Sequence, residues 1–127
     1  MKKLASALYG LAGLVNLAPV MGVLSAERLQ VLYGIELTDP NLIILLRHRA
    51  VLFGIVGTLL LTAAFRPALR PIAFPAGLVS MVSFILVAYL VGDFNAELHR
   101  IVWIDVVASV LLVAAGLITF RSERGTG

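Results

Sequence analysis

"LTDPNLIILLRHRAVLFGIVGTLLLTAAF", residues 37–65, decides the fold. It joins a helix-start signal to a long uncharged run, with Arg47, His48 and Arg49 between the two. A helix crossing about 30 Å of hydrocarbon needs on the order of 20 mostly apolar residues. From Ala50 to Phe65 the uncharged run covers only about 24 Å at 1.5 Å per residue. The crossing must therefore start earlier and take in the three basic residues. Asp39 is a good N-cap and Pro40 a natural first helical residue. A helix over residues 40–65 is predicted, with Arg47 roughly 10 Å along it.

The same reasoning extends along the chain. Leu4–Ala26 and Pro71–Gly92 are charge-free and long enough as they stand. Val106–Phe120 covers only about 22 Å and has to borrow Asp105. Four spans are expected, at approximately 4–25, 40–65, 71–92 and 96–120, in a single domain of 127 residues. Composition agrees: 61% of residues are hydrophobic and 13% charged, against about 45–50% and about 25% in soluble domains. Too few polar groups are present to cover a soluble fold, so the excess must face a lipid bilayer. The fold class is all-α, an integral membrane antiparallel four-helix bundle. A short interfacial helix in "SAERLQVLYG", capped by Ser25 and stopped by Gly34, lies between the first two spans. Its Leu29, Leu32 and Tyr33 would turn toward lipid or toward the mouth of the bundle.

The absence of cysteine excludes disulfides, thiolate nucleophiles and cysteine-held metals. The net charge of +3 is spread in ones and twos near span ends, so it does not form a stripe for nucleic acid. It reads instead as a topology signal. Lys2, Lys3, Arg66, Arg70, Arg121 and Arg124 fall on one side of a four-span chain, which puts both termini in the cytoplasm. Glu27, Glu36, Asp39, Asp93 and Glu97 fall on the other. Arg47, His48, Arg49, His99 and Arg100 also lie toward that outer side, and orientation does not explain them. A different reading of the first segment is open: "MKK", an apolar stretch and "VLSA" have the form of a cleavable signal peptide.

Helix faces suggest what the unexplained residues do. Arg47, Ala50, Gly54 and Gly57/Thr58 recur at spacings of three and four, a stripe of small residues suited to close helix packing in lipid. Arg47 is then expected to point inward, with His48 and Arg49 rotated off the stripe. Asp105, Ser109, Leu112 and Gly116 form a matching stripe in the fourth span, and Gly10, Gly13 and Asn16 one in the first. Ser80 and Ser83 are candidates for the remaining wall. Two opposite charges at similar depth offset the cost of burying either, so an Arg47–Asp105 pair, or a ligand shared between them, is predicted near Asn16. Such a pair also has a purely structural reading, fixing which helices are neighbours. The candidate ligand-binding set is Arg47, Asp105, Asn16, Arg49, His48, His99, Arg100 and Ser109. No catalytic or metal-binding residue is assigned.

"RHRAV" at 47–51 and "LHRIV" at 98–102 share His-Arg-x-Val. Two histidines on facing membrane helices could ligate haem b axially, which makes a redox protein using His48 and His99 the alternative reading. Otherwise no cofactor is expected. Tyr9, Tyr33, Tyr89 and Trp103 fall near span ends, as interfacial anchors do, and the tail "RSERGTG" reads as frayed.

With its size, its four spans, the long first outer loop containing "LYGIELTDPNL" and the arginine in "LLRHRAVLFG", the chain resembles the small DoxX-like four-helix proteins of bacterial inner membranes. The resemblance implies a multi-pass inner-membrane protein, in some cases associated with redox or quinone-linked complexes, and brings no catalytic residues. The expected function is non-enzymatic: a periplasm-facing polar pocket for a small amphiphile, lipid headgroup or quinone-like molecule. Service as an accessory subunit beside another membrane protein, or in a homo-oligomer, is the companion expectation.

Overall fold

A computed structural model describes residues 2–23 and 25–125, without the side chains of residues 21–23, 122, 123 and 125. Five α-helices follow one another: α1 (Lys2–Leu17), α2 (Ala26–Tyr33), α3 (Pro40–Phe65), α4 (Arg70–Val91) and α5 (Ala96–Gly125). No strand occurs among the described residues. Stretches of four of these helices, Lys2–Val20 with its 3-10 extension, Pro40–Phe65, Pro67–Val91 and Ala96–Arg121, are long and apolar enough to cross a membrane. Large apolar side chains such as Leu45, Val79, Leu90 and Val110 are each more than 60% exposed on the outside of these helices. A soluble surface does not tolerate so continuous an apolar exterior. The molecule is built as a multi-pass membrane protein.

Local chemistry sets the helix ends. Asp39 Oδ1 accepts from the Asn41 amide at 2.9 Å, directly ahead of Pro40, so α3 begins where its capping signal lies. Ser25 Oγ accepts from the Arg28 amide at 3.2 Å and starts α2, which Gly34 ends in the left-handed conformation at φ 64°. The first span changes character near its end, at Pro19. Its α-helix stops at Leu17 and continues as a 3-10 segment, Ala18–Val23, because Pro19 has no amide hydrogen to donate. The carboxy-terminal tail differs from expectation, since α5 remains helical through Gly125.

α1 packs on α3 and α5, and α4 packs on α5 and α3, so the four long helices enclose one core. Its centre is Leu60, Met81 and Leu112, all fully buried, with Tyr9, Ala12, Ala63, Ala108 and Ala115 around them. Gly13 and Gly57 mark the tightest approach. A Cβ on Gly57 would lie 2.7 Å from Leu17 Cγ and 2.9 Å from the Gly13 carbonyl oxygen. A Cβ on Gly13 would lie 2.8 Å from the Leu61 amide nitrogen. The backbones of α1 and α3 touch there, the contact that small residues make possible between apolar helices lacking a hydrophobic drive to associate.

A second, smaller cluster closes the end of the core that carries α2. Leu29, Tyr33 and Leu37 are buried against Ile43, Leu46, Leu98 and Ile101. α2 thus folds its apolar side inward, and Tyr33 is a core residue, not an interfacial anchor. Asn95 fastens this cap. Its Nδ2 donates to the carbonyls of Tyr33 (2.8 Å) and Gly34 (3.0 Å), while its Oδ1 accepts from the Leu98 amide (2.9 Å) and starts α5.

Two substitutions test the α1–α3 contact. Gly57→Ala should lower unfolding stability in detergent by about 1–3 kcal/mol, because backbone cannot move aside as a flexible side chain would. Gly10→Ala, whose new Cβ would meet nothing nearer than 3.9 Å, should be neutral or slightly stabilising. Equal losses at both positions would count against the backbone contact.

Candidate functional site

α3 delivers one arginine to the interior, and it is Arg49. The buried side of this helix runs through Leu46, Ala50, Phe53, Gly57, Leu60 and Ala64 at spacings of three and four. At 100° per residue, Arg49 lies beside the middle of that face, whereas Arg47 is rotated well away from it. Arg47 is accordingly exposed, and so is its neighbour His48. The expected inward Arg47 is therefore corrected to Arg49. The stripe of small residues pointed to the right helix and missed the facing direction. Two large residues, Leu46 and Phe53, occupy the inner face, while Thr58 lies outside it.

Aromatic rings surround the Arg49 guanidinium. Its Cζ lies 4.6 Å from the Phe84 ring centre, 4.7 Å from that of Phe53 and 5.9 Å from that of Tyr33. The electron-rich ring faces offset part of the desolvation of the cation. They do not accept its hydrogen bonds: Nε is buried and has no partner. A buried, unused donor on a charged group is costly, and it marks a place where an acceptor fits.

Cavities open on both sides of this side chain. One, of about 450 Å³, lies between α3 and α4 under the start of α5, with Arg49, Phe53, Val56, Ser80, Phe84 and Val87 among its walls. The other, of about 380 Å³, lies beneath α2 and is walled by Leu14, Pro19, Tyr33, Arg49, Phe53 and Ile101. Both are within the range of roughly 300–1,000 Å³ typical of small-molecule sites. The polar side chains of the first are Arg49 and two serines whose protons are already engaged. Ser80 Oγ donates to Asn16 Oδ1 (3.3 Å), and Ser83 Oγ donates to the Ser80 carbonyl (3.2 Å).

The remaining expected residues divide into two groups. Asn16 is buried, donates to the Ala12 carbonyl at 2.9 Å and stands behind Ser80. Asp105 and Ser109 are buried on the inner face of α5, and Ser109 Oγ has no hydrogen-bond partner. Arg49 is half-buried on α3 and Asp105 is buried on α5, whereas Arg47 is exposed, so the inward charges are Arg49 and Asp105, not Arg47 and Asp105. His99 and Arg100, by contrast, are exposed, as are Arg47 and His48. The His99 ring lies 4.2 Å from that of Phe94, centre to centre. Neither histidine lines the cavities beside Arg49.

A second inward arginine, this one buried, was read from the sequence only as a connecting-loop charge. Arg70 is 7% exposed, and its guanidinium lies 5.0 Å from the Tyr9 ring centre. Its Nε donates to the Ala63 carbonyl (3.1 Å) and its Nη2 to Ser6 Oγ (2.9 Å), with the Ala64 carbonyl at 3.5 Å from Nη2. The last carbonyls of a helix lack partners within it, and Arg70 supplies them for α3 while holding α1 alongside. The same contact makes Tyr9 a core residue and not an anchor. Tyr89 and Trp103, in contrast, are 66% and 67% exposed. The signal that could have singled out Arg70 is its spacing: seven residues after Ala63, it lies beyond a short turn that folds back on the end of α3.

Compared with protein-family models, curated proteins and solved structures, the chain matches none. The site is therefore defined by its own geometry: a caged arginine with a free donor between two apolar cavities.

The two inward arginines and the outward one should respond differently to truncation. Arg70→Ala leaves the α3 carbonyls and Ser6 without their donor and should cost about 1–3 kcal/mol. Arg47→Ala should change stability by no more than about 0.5 kcal/mol, as exposed positions do. Thermal unfolding of both variants in one detergent gives the comparison, and a large loss at Arg47 would contradict its outward placement.

Proposed function

We propose that this chain is an antiparallel four-span protein of the bacterial inner membrane that binds a small amphiphile non-enzymatically, with Arg49 as the polar anchor. Three features support the topology. Short connections join consecutive long helices at α3–α4 and α4–α5. Lys2, Lys3, Arg66, Arg121 and Arg124 are exposed toward the ends assigned to the cytoplasm. The acidic residues Glu36, Asp39 and Asp93 are exposed at the α2 end, which this reading assigns to the periplasm. The resemblance to DoxX-like proteins fits the same arrangement.

The observation that carries the binding function is the buried, unpartnered Nε of Arg49 at the wall of a cavity of about 450 Å³. A guanidinium serving only as a helix tie would engage its donors with carbonyls, as Arg70 does. Arg49 leaves its buried Nε without a partner and faces a space with apolar walls. A molecule with one acceptor-bearing end and one apolar end satisfies both surfaces.

Replacing Arg49 by Met tests this reading. An unsatisfied buried charge exchanged for an apolar side chain of similar length is often neutral or stabilising. Arg49→Met is therefore expected to unfold at the same temperature as the wild type or higher. Native mass spectrometry from lipid nanodiscs should show a non-protein mass carried by the wild type and absent from the variant. A variant that fails to assemble, with no bound molecule ever seen on the wild type, would make Arg49 a structural element alone.

A further inference from the structure

We propose that the cavity between α3 and α4 takes a single-chain carboxylate, a fatty acid or a close analogue, with its head on Arg49 and its chain along the apolar wall toward Val87. This deepens the amphiphile reading and rests on it.

Charge and donor count define the head. Arginine carries donors and no acceptor, and it stays protonated at any accessible pH. The cavity's other polar side chains, Ser80 and Ser83, have already committed their protons to Asn16 and to backbone. Among the described residues, no acidic side chain lines the cavity. The unmet requirement is therefore for an acceptor, best an anionic one, since hydrogen bonds between charged partners are roughly twice as strong as neutral ones. Among the described residues, Arg49 is the one cation that lines the space. A single guanidinium suits a monoanion with two oxygens. A phosphate monoester, at about −1.5 to −2 charge, would lie there undercompensated.

The walls define the tail. Leu52, Phe53, Val56, Phe84, Val87 and Val91 present hydrocarbon along the cavity. Val87 and Val91 are also 56% and 79% exposed on the outer face of α4, so the space opens sideways toward the bilayer. With about 450 Å³ available, the cavity suits one alkyl chain and not a two-chain phospholipid taken in whole. Bulk lipid tails could wet the same walls; the head on Arg49 is what distinguishes a ligand from solvent lipid.

The test uses the full chain in nanodiscs of zwitterionic lipid at alkaline pH, titrated with dodecanoate, its methyl ester and dodecyl phosphate, and read by native mass spectrometry. Dodecanoate should bind about tenfold to a hundredfold more tightly than the ester, the range of a hydrogen bond to a charged group. Arg49→Gln should erase that preference while leaving weak binding of both. Val87→Trp, which enters from the exposed side and leaves the core alone, should block all three probes. Equal binding of acid and ester would overturn the carboxylate assignment and leave amphiphile binding intact. Tighter binding of dodecyl phosphate would overturn it in favour of a phosphate head. If no probe binds and no native occupant is found, both the assignment and the amphiphile reading fail.

Discussion

A cation that cannot be neutralised, placed where hydrocarbon surrounds the helix, is the constraint on which this structure turns. Arg49 is the tenth residue of α3, about 14 Å from its start at 1.5 Å per residue, and a charge at that depth tolerates neither lipid contact nor isolation. Three aromatic rings from α2, α3 and α4 enclose it. Asp105 is buried on the inner face of α5. Elements from nearly the whole chain thus converge on one guanidinium, and α2 is drawn over the mouth because Tyr33 is one of the rings.

The two ends of the molecule treat their inward arginines in opposite ways. Arg70 spends its donors on the carbonyls that end α3 and on Ser6 of α1, which seals that end with backbone and side-chain hydrogen bonds. Between the two ends, Leu60, Met81 and Leu112 are fully buried at the centre of the apolar core. Asn16, Ser80, Asp105 and Ser109 all lie on the Arg49 side of that apolar plug. Polarity in this protein belongs to a pocket at one end rather than to a path through the molecule. The pocket is apolar over most of its wall, so specificity must come from the few polar atoms left unmatched.

Much of this was legible in particular residues. Asp39 and Pro40 announced the start of α3, and Ser25 and Gly34 bracketed α2, since capping chemistry acts within a few residues. Asp105, Ser109 and Leu112 faced inward as their spacing indicated. The pairing of Arg47 with Asp105 did not hold. Arg47 and Arg49 are two residues apart, 200° around the helix, and apolar residues surround both, so periodicity in a helix that is oily on every side separates them poorly. Tyr9 was misplaced for the same reason, and for Tyr33 only the reading toward the bundle mouth held: position near a span end looks alike whether the ring meets headgroups or folds under a neighbouring helix.

The sequence by itself determined the class of molecule, the number of long apolar helices and most of their boundaries, because insertion energy and capping depend on composition and on near neighbours in the chain. Tertiary structure alone decided which arginine is caged, which donor is left free, and that Arg70 closes the far end. Those outcomes depend on how α1, α4 and α5 rotate against α3. That rotation is set by the Gly13–Gly57 contact and by side-chain volumes meeting across the core, between residues too far apart in the chain for any local pattern to relate.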